Sequence, residues 1–183
     1  MKLSSCILAF SLAALPATAQ FTNSMPGTLV DQEDGAPDRK LVDARDPEAI
    51  ARILREQGYE AAIEKQENGA VEIQSKSGHA NFWLYFHACT PHFTECEIIT
   101  FSSGFDFETA QLPDIIGNWN ATRFSKAYLD ADGDPFVEFS VNMKDGVTRE
   151  NFVDTLDWFT MEMSAFIERI GWNAGLAEQA QPI

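Results

Sequence analysis

The chain reads as one α+β domain, three helices and an antiparallel sheet in the order α-β-β-β-β-α-β-β-α. Three observations predict it. Segments with period-two alternation are separated by short turn signals, as in a meander of strands. Segments with apolar residues every three or four positions precede, interrupt and follow them. No segment recurs at a fixed period, so a repeat architecture is excluded. At 183 residues, 45% of them hydrophobic, the chain is long enough for one sizeable core.

The first helix starts at Asp46-Pro47-Glu48. Asp serves as N-cap, Pro sits at the first helical position, and Glu48 is an acid in the first turn. Ile50, Ile53, Leu54 and Gln57 follow one face, and Gly58 ends it. Four strands come next. Tyr59–Lys65 alternates, Glu67-Asn68-Gly69 turns the chain, Ala70–Lys76 returns, and Ser77-Gly78 turns again. The third strand runs to Ala88 and the fourth starts at Glu97. In the third, Phe82, Leu84 and Phe86 point to one face and Trp83, Tyr85 and His87 to the other. Both faces are rich in aromatics, so one should pack helices while the other meets something else.

Leu112–Phe124 predicts the second helix, with Ile115, Ile116, Trp119 and Arg123 at helical spacing. Ser125–Asp130 and Pro135–Asn142 bracket the turn Asp130-Ala-Asp-Gly-Asp134, and Val137, Phe139 and Val141 alternate with Glu138, Ser140 and Asn142. Thr148 caps a long last helix. Its apolar residues Phe152, Leu156, Phe159, Met163, Phe166 and Ile170 step by four and three, as the core face of an amphipathic helix or a coiled-coil seam. Leu41-Val42 makes a short edge contact, and Trp172 closes the domain.

The N-terminus predicts the compartment. Lys2 precedes an apolar run from Ile7 to Leu15, and Ala17-Thr18-Ala19 is a small-x-small cleavage site. That pattern is a secretory leader over residues 1–19, too short to span a bilayer. The expected layout is this leader, a flexible lead-in at 20–43, the folded domain at 44–172 and a disordered tail at 173–183. The expected location is periplasmic or secreted, with no membrane insertion after cleavage. The chain carries 13 Lys and Arg against 28 Asp and Glu, a formal net charge of −15. Such a chain is repelled by nucleic acid, so a protein or a second copy of the chain is the expected partner.

Cys6 leaves with the leader, which makes Cys89 and Cys96 an even pair in an oxidising compartment. A disulfide closing the hairpin mouth is the leading reading. So short a ring is worth on the order of 2–3 kcal/mol in the chain-entropy account. The alternative is a metal site, or a metal-dependent enzyme, built on His87, Cys89, His92 and Cys96; the ligand types suit zinc, but the spacing matches no common finger. A redox-catalytic pair would need C-x-x-C at a helix start, which this stretch lacks.

Three stretches together carry a family resemblance: the aromatic strand and cysteine hairpin of Phe82–Cys89 and Cys96–Phe105; Asn118-Trp119-Asn120 with Arg123-Phe124; and Ala127-Tyr-Leu-Asp-Ala-Asp-Gly-Asp-Pro135 followed by Gly146-Val-Thr148 and a helix containing Trp158. Over about Leu41 to Gly171 the chain resembles the YbjN family of bacterial sensory transduction regulators. The resemblance implies a fold similar to type III secretion chaperones, α-β-β-β-α-β-β-α and often paired as dimers, to which the present order adds one strand. It implies a regulatory role and no enzymatic activity. The cytoplasmic relatives lack a leader of the kind found here.

The motif content agrees with a non-enzyme that uses no cofactor. There is no G-x-S-x-G, H-E-x-x-H, phosphate loop or dinucleotide fingerprint, and His79, His87 and His92 all fall in the meander. The acidic turn Asp130–Asp134 lacks the Gly and Glu positions of an EF-hand loop and reads as a hairpin turn. The expected partner-binding residues are Trp83 and Tyr85 on the second face of the aromatic strand, with Asn118, Trp119, Asn120 and Arg123. For the last four, capping the helix and bonding back to the next strand is the competing role.

Overall fold

In a computed structural model of the chain, residues 41–172 are described. The expected leader at 1–19, most of the lead-in at 20–43 and the tail at 173–183 lie outside them. The elements are α1 (Pro47–Glu56), β1 (Glu60–Lys65), β2 (Val71–Ser77), β3 (Ala80–His87), β4 (Ile98–Gly104), α2 (Leu112–Thr122), β5 (Lys126–Leu129), β6 (Pro135–Asn142) and α3 (Arg149–Ile170). This is the α+β order expected, including the additional strand. The six strands form one antiparallel sheet in the order β1-β2-β3-β4-β6-β5.

The helix ends follow their sequence signals. Asp46 accepts from the Ala49 amide at 2.9 Å, and Thr148 accepts from the Asn151 amide at 3.2 Å. Each satisfies an amide that the first helical turn leaves without a partner. Gly171, at φ 78°, closes α3 in the left-handed conformation that favours glycine. Val42 bridges to Val147, which ties the segment before α1 to the one before α3.

All three helices pack on one face of the sheet. Ile73, Phe82, Leu84, Ile99, Phe101 and Val137 alternate inward and are fully buried. The predicted face of α3 lies on them: Phe159 packs against Phe82 and Phe101 at 5.5 and 5.3 Å between ring centroids, and Phe152 against Phe101 at 6.1 Å. Farther along α3, Phe166 meets Trp119 of α2 at 5.1 Å and Phe105 at 5.9 Å. The step pattern of α3 is therefore a core face against the sheet. Truncating Phe159 to alanine would cost about 3–5 kcal/mol.

The second helix ends earlier than its pattern predicts. Arg123 is already extended at φ −119°, ψ 161°. The Asn120 side chain pairs with both the amide and the carbonyl of Ala127, at 2.8 and 2.9 Å, and this draws the chain out of the helix and into β5. Phe124, expected on the helix, lies in the connection to β5 and is 83% exposed.

Candidate functional site

The opposite face of the sheet carries no helix among the described residues. Register places Trp83 and Tyr85 there, opposite Ser102 and Thr100 of β4. On the far side of β4, the same two residues face Glu138 and Ser140 of β6. Tyr128 and Phe136 complete the face from β5 and β6, and their rings stack at 5.4 Å with planes 15° apart. The result is a row of small polar residues on β4 flanked by aromatic side chains. Adjacent strands lie about 4.8 Å apart, so β3 and β6 are about 10 Å apart across this row. Thr100 and Ser102 are buried beneath the larger side chains even though they belong to the outer face.

Glu138 lies at the centre of the polar contacts. Its Oε1 accepts the Tyr128 hydroxyl at 2.7 Å and the Ser102 hydroxyl at 3.4 Å. Thr100 and Ser140 hydroxyls bond across the strands at 2.9 Å. The Tyr128 phenol is pushed well above its ordinary value of 10.0, first by burial, then by its hydrogen bond to Glu138 and that carboxylate's charge. The Tyr85 phenol is also raised, by burial and by the charges of Glu72 and Glu138. Both stay protonated at neutral pH, and Tyr128 donates to Glu138. The face thus offers aromatic surface, two phenol groups, the carboxylates of Glu72 and Glu138, and Lys126, which is the register partner of Glu138 and whose Nζ lies over the Tyr128 ring at 4.8 Å. Gly104 makes room for it: a side chain there would overlap the Phe136 ring.

Tyr128, Phe136 and Glu138 were not among the expected binding residues. The signal for Phe136 was present. Once Val137 and Phe139 point inward, an aromatic at 136 falls on the polar side of the alternation. For Tyr128 and Glu138, only the pairing of β5 and β6 across β4 reveals that they converge with Trp83 and Tyr85.

The Asn-Trp-Asn…Arg group lies elsewhere and is largely committed to the fold. Trp119 is buried, and its Nε1 donates to Ser125 Oγ at 3.0 Å. Ser125 donates to Glu162 Oε2 at 2.7 Å, and Arg123 pairs with Glu162 Oε1 at 2.8 Å while lying over the Trp119 ring at 4.9 Å. Asn120 bonds to β5 as described, and Asn118 donates to the Asp114 carbonyl at 2.9 Å. The sheet face and this network belong to opposite sides of the molecule, so the six residues expected to bind a partner do not form one surface. Asn118 and Arg123 remain exposed. Glu162, inside the network, was not singled out from sequence because it reads as one more acid on an amphipathic helix.

Cys89 and Cys96 are joined as a disulfide at the mouth of the β3–β4 connection. The bond takes both sulfurs out of any ligand set, and among the described residues no three of His, Cys, Asp and Glu converge on a common point. The metal alternative on this hairpin is therefore set aside. His87 and His92 are exposed. Ala88, Phe93 and Glu95 all have positive φ, between 52° and 55°, an uncommon conformation for residues with a side chain. Asp130 Oδ1 accepts from the amides of Asp132 and Asp134 at 3.0 and 2.9 Å, which makes the acidic stretch a side-chain-braced hairpin turn. No helix among the described residues is long and apolar enough to cross a membrane.

Comparison with curated proteins finds no match. A family profile described as "YbjN: Putative bacterial sensory transduction regulator" matches residues 46–172, more than half of the chain, and the chain belongs to the YbjN family.

Proposed function

We propose that this protein is a non-enzymatic regulatory module, secreted or periplasmic, that binds a protein partner on the face of its sheet that carries no helix among the described residues. The family description supports a regulatory role. The leader-like N-terminus supports the compartment. The observation that carries the binding reading is the face itself: Trp83, Tyr85, Tyr128 and Phe136 stand outside the core around Glu138. Aromatic residues on a polar floor are the composition of interface centres rather than of solvated sheet faces. Glu72 and Glu138 share the face with Lys76 and Lys126, so the aromatic side chains set its character and the fitting partner is a polypeptide segment that presents apolar side chains.

The test has two parts. A photo-crosslinking amino acid at position 85, with the protein expressed in its own bacterium, should give a discrete adduct in the periplasmic or extracellular fraction. Adding Trp83→Ala should abolish that adduct without changing the melting temperature by more than a few degrees. An adduct confined to the cytoplasm would refute the compartment, and one insensitive to Trp83→Ala would refute the surface.

A further inference from the structure

A groove runs along one flank of α3, beside the end of α2 and the connection to β5. Two adjoining cavities form it. One, of about 430 Å³, is lined by Asn118, Trp119, Arg123, Ala165 and Arg169. The other, of about 230 Å³, is lined by Arg123, Phe124, Trp158, Met161 and Glu162. Thr122 and Arg123 line both. The two ends differ in chemistry. At the smaller cavity the Phe124 ring stacks on Trp158 at 6.0 Å, with Met161 beside them. Three of the six large apolar side chains that the described residues expose are gathered there. The larger cavity presents two guanidiniums, those of Arg123 and Arg169. Among the described residues, Glu162 is the one carboxylate that lines either cavity, and it is buried and already bonded to Arg123 and Ser125. Arg169 has no ion-pair partner among the described residues. Glu168, next to it in sequence, projects about 100° away around the helix and lines neither cavity. The groove therefore keeps one positive charge in a chain whose net charge is −15.

We infer that this groove binds a small amphipathic carboxylic acid, its carboxylate between Arg123 and Arg169 and its apolar tail against Phe124, Trp158 and Met161. The carboxylate supplies the counter-charge that Arg169 lacks, through charge-assisted hydrogen bonds. The tail takes out of water the apolar surface that the core leaves open on this flank. Met161 and Arg169 lie eight residues apart on α3. That is about 12 Å along the helix axis, the extended length of a ten-carbon acid. Cavities of a few hundred Å³ with an apolar wall and a few placed polar groups are the usual form of small-ligand sites. An extended peptide fits less well. Such peptides gain affinity from main-chain hydrogen bonds to a sheet edge. Here helices supply the walls, and the last carbonyls of α2 are taken, because Thr122 Oγ1 donates to the Asn118 carbonyl and the Arg123 amide to that of Trp119. The groove is separate from the aromatic sheet face and does not depend on the binding proposed for it.

Isothermal titration calorimetry of the purified protein with decanoate, kept below its micelle concentration, tests the site. One molecule should bind per chain, with a Kd on the order of 100 micromolar for a ligand of this size. Affinity should rise about three- to fourfold per methylene from hexanoate to decanoate, as each is buried in turn. Decyltrimethylammonium, equal in tail and opposite in charge, should not bind. Arg169→Gln should weaken binding at least ~10-fold at every tail length. Trp158→Ala should instead flatten the dependence on tail length. Both side chains are exposed, and far-UV circular dichroism of each variant separates loss of the site from loss of folding. The absence of saturable binding, equal affinity for the cationic analogue, or an affinity unmoved by both variants would each overturn the inference. So would a peptide with an apolar C-terminal residue that bound ~100-fold more tightly than decanoate, which would make the groove a site for a chain terminus. A dimer in sedimentation velocity that Trp158→Ala dissociates would overturn it as well, by showing the groove filled by a second copy.

Discussion

Replacing Arg123 with methionine isolates the energetics of the buried network at the end of α2. The side chain of Glu162 is 7% exposed, and its charge is met by Arg123 at 2.8 Å and by the Ser125 hydroxyl at 2.7 Å. Removing the guanidinium leaves one neutral donor on a buried carboxylate. Breaking a buried ion pair from one side costs about 3–5 kcal/mol. The Arg123 side chain is 36% exposed, so water reaches the pair and the expected cost falls to about 2–3 kcal/mol. Methionine keeps the aliphatic cover of Trp119 but loses the cation–π contact, a further fraction of a kcal/mol within that range. Glu162→Gln should cost less, about 1 kcal/mol, because the amide still accepts from Ser125 and Arg123 is free to turn to solvent. The double variant should cost about 2 kcal/mol, less than the sum of the two, which gives a coupling of about 1–2 kcal/mol. Urea unfolding followed by circular dichroism, with unchanged m-values, measures all four corners of the cycle. A cost for Arg123→Met below about 0.5 kcal/mol, or a coupling within about 0.3 kcal/mol of zero, would refute this account of the network.

Four further outcomes follow from the geometry. Replacing Cys89 and Cys96 together with serine should lower stability by about 2–3 kcal/mol, read from urea midpoints with and without reductant, and reductant should then have no effect on the variant. Stability should fall as pH rises above 10, because the unfolded chain loses phenol protons that folded Tyr128 and Tyr85 retain; below pH 10 this contribution is fully present, and Tyr128→Phe should flatten the alkaline limb of the pH–stability curve. Gly104→Ala should push the Phe136 ring off Tyr128 and cost about 1 kcal/mol, a loss that largely disappears in a Phe136→Ala background. Millimolar calcium should leave the melting temperature unchanged, because Asp130 Oδ1 already accepts two backbone amides; a rise of several degrees would show that the turn rearranges around the ion.

Much of the fold was legible because its signals are local. Asp46-Pro47 and Thr148 stand at the starts of α1 and α3, and Asn68-Gly69 turns β1 into β2. Phe82 and Leu84 alternate inward in β3 as their spacing predicts, and the four-three steps of α3 form its buried face. These patterns follow from helix and strand periods, which any stretch of chain carries in its own order of residues. Even Cys89 and Cys96 could be paired by proximity, since only a hairpin loop separates them.

The candidate sites were less legible because they depend on neighbours far apart in sequence. Trp83 and Tyr85 showed as surplus aromatics on one strand, but Glu138 and Tyr128 join them only because β4 pairs with β6 rather than with β5. Nothing local distinguishes Glu162 from the other acids of α3 until the chain after α2 brings Arg123 and Ser125 onto it. Asn118, Trp119, Asn120 and Arg123 stood together in sequence as one polar group, yet tertiary packing divides them between solvent, core, strand and ion pair. The sequence by itself determined the elements, their inward faces and the hairpin staple. Strand order and the docking of helices on one face alone decided which side chains were left outside the core and which polar groups meet there. Periodicity is a property of adjacent residues, whereas a site is a property of where distant ones are brought together.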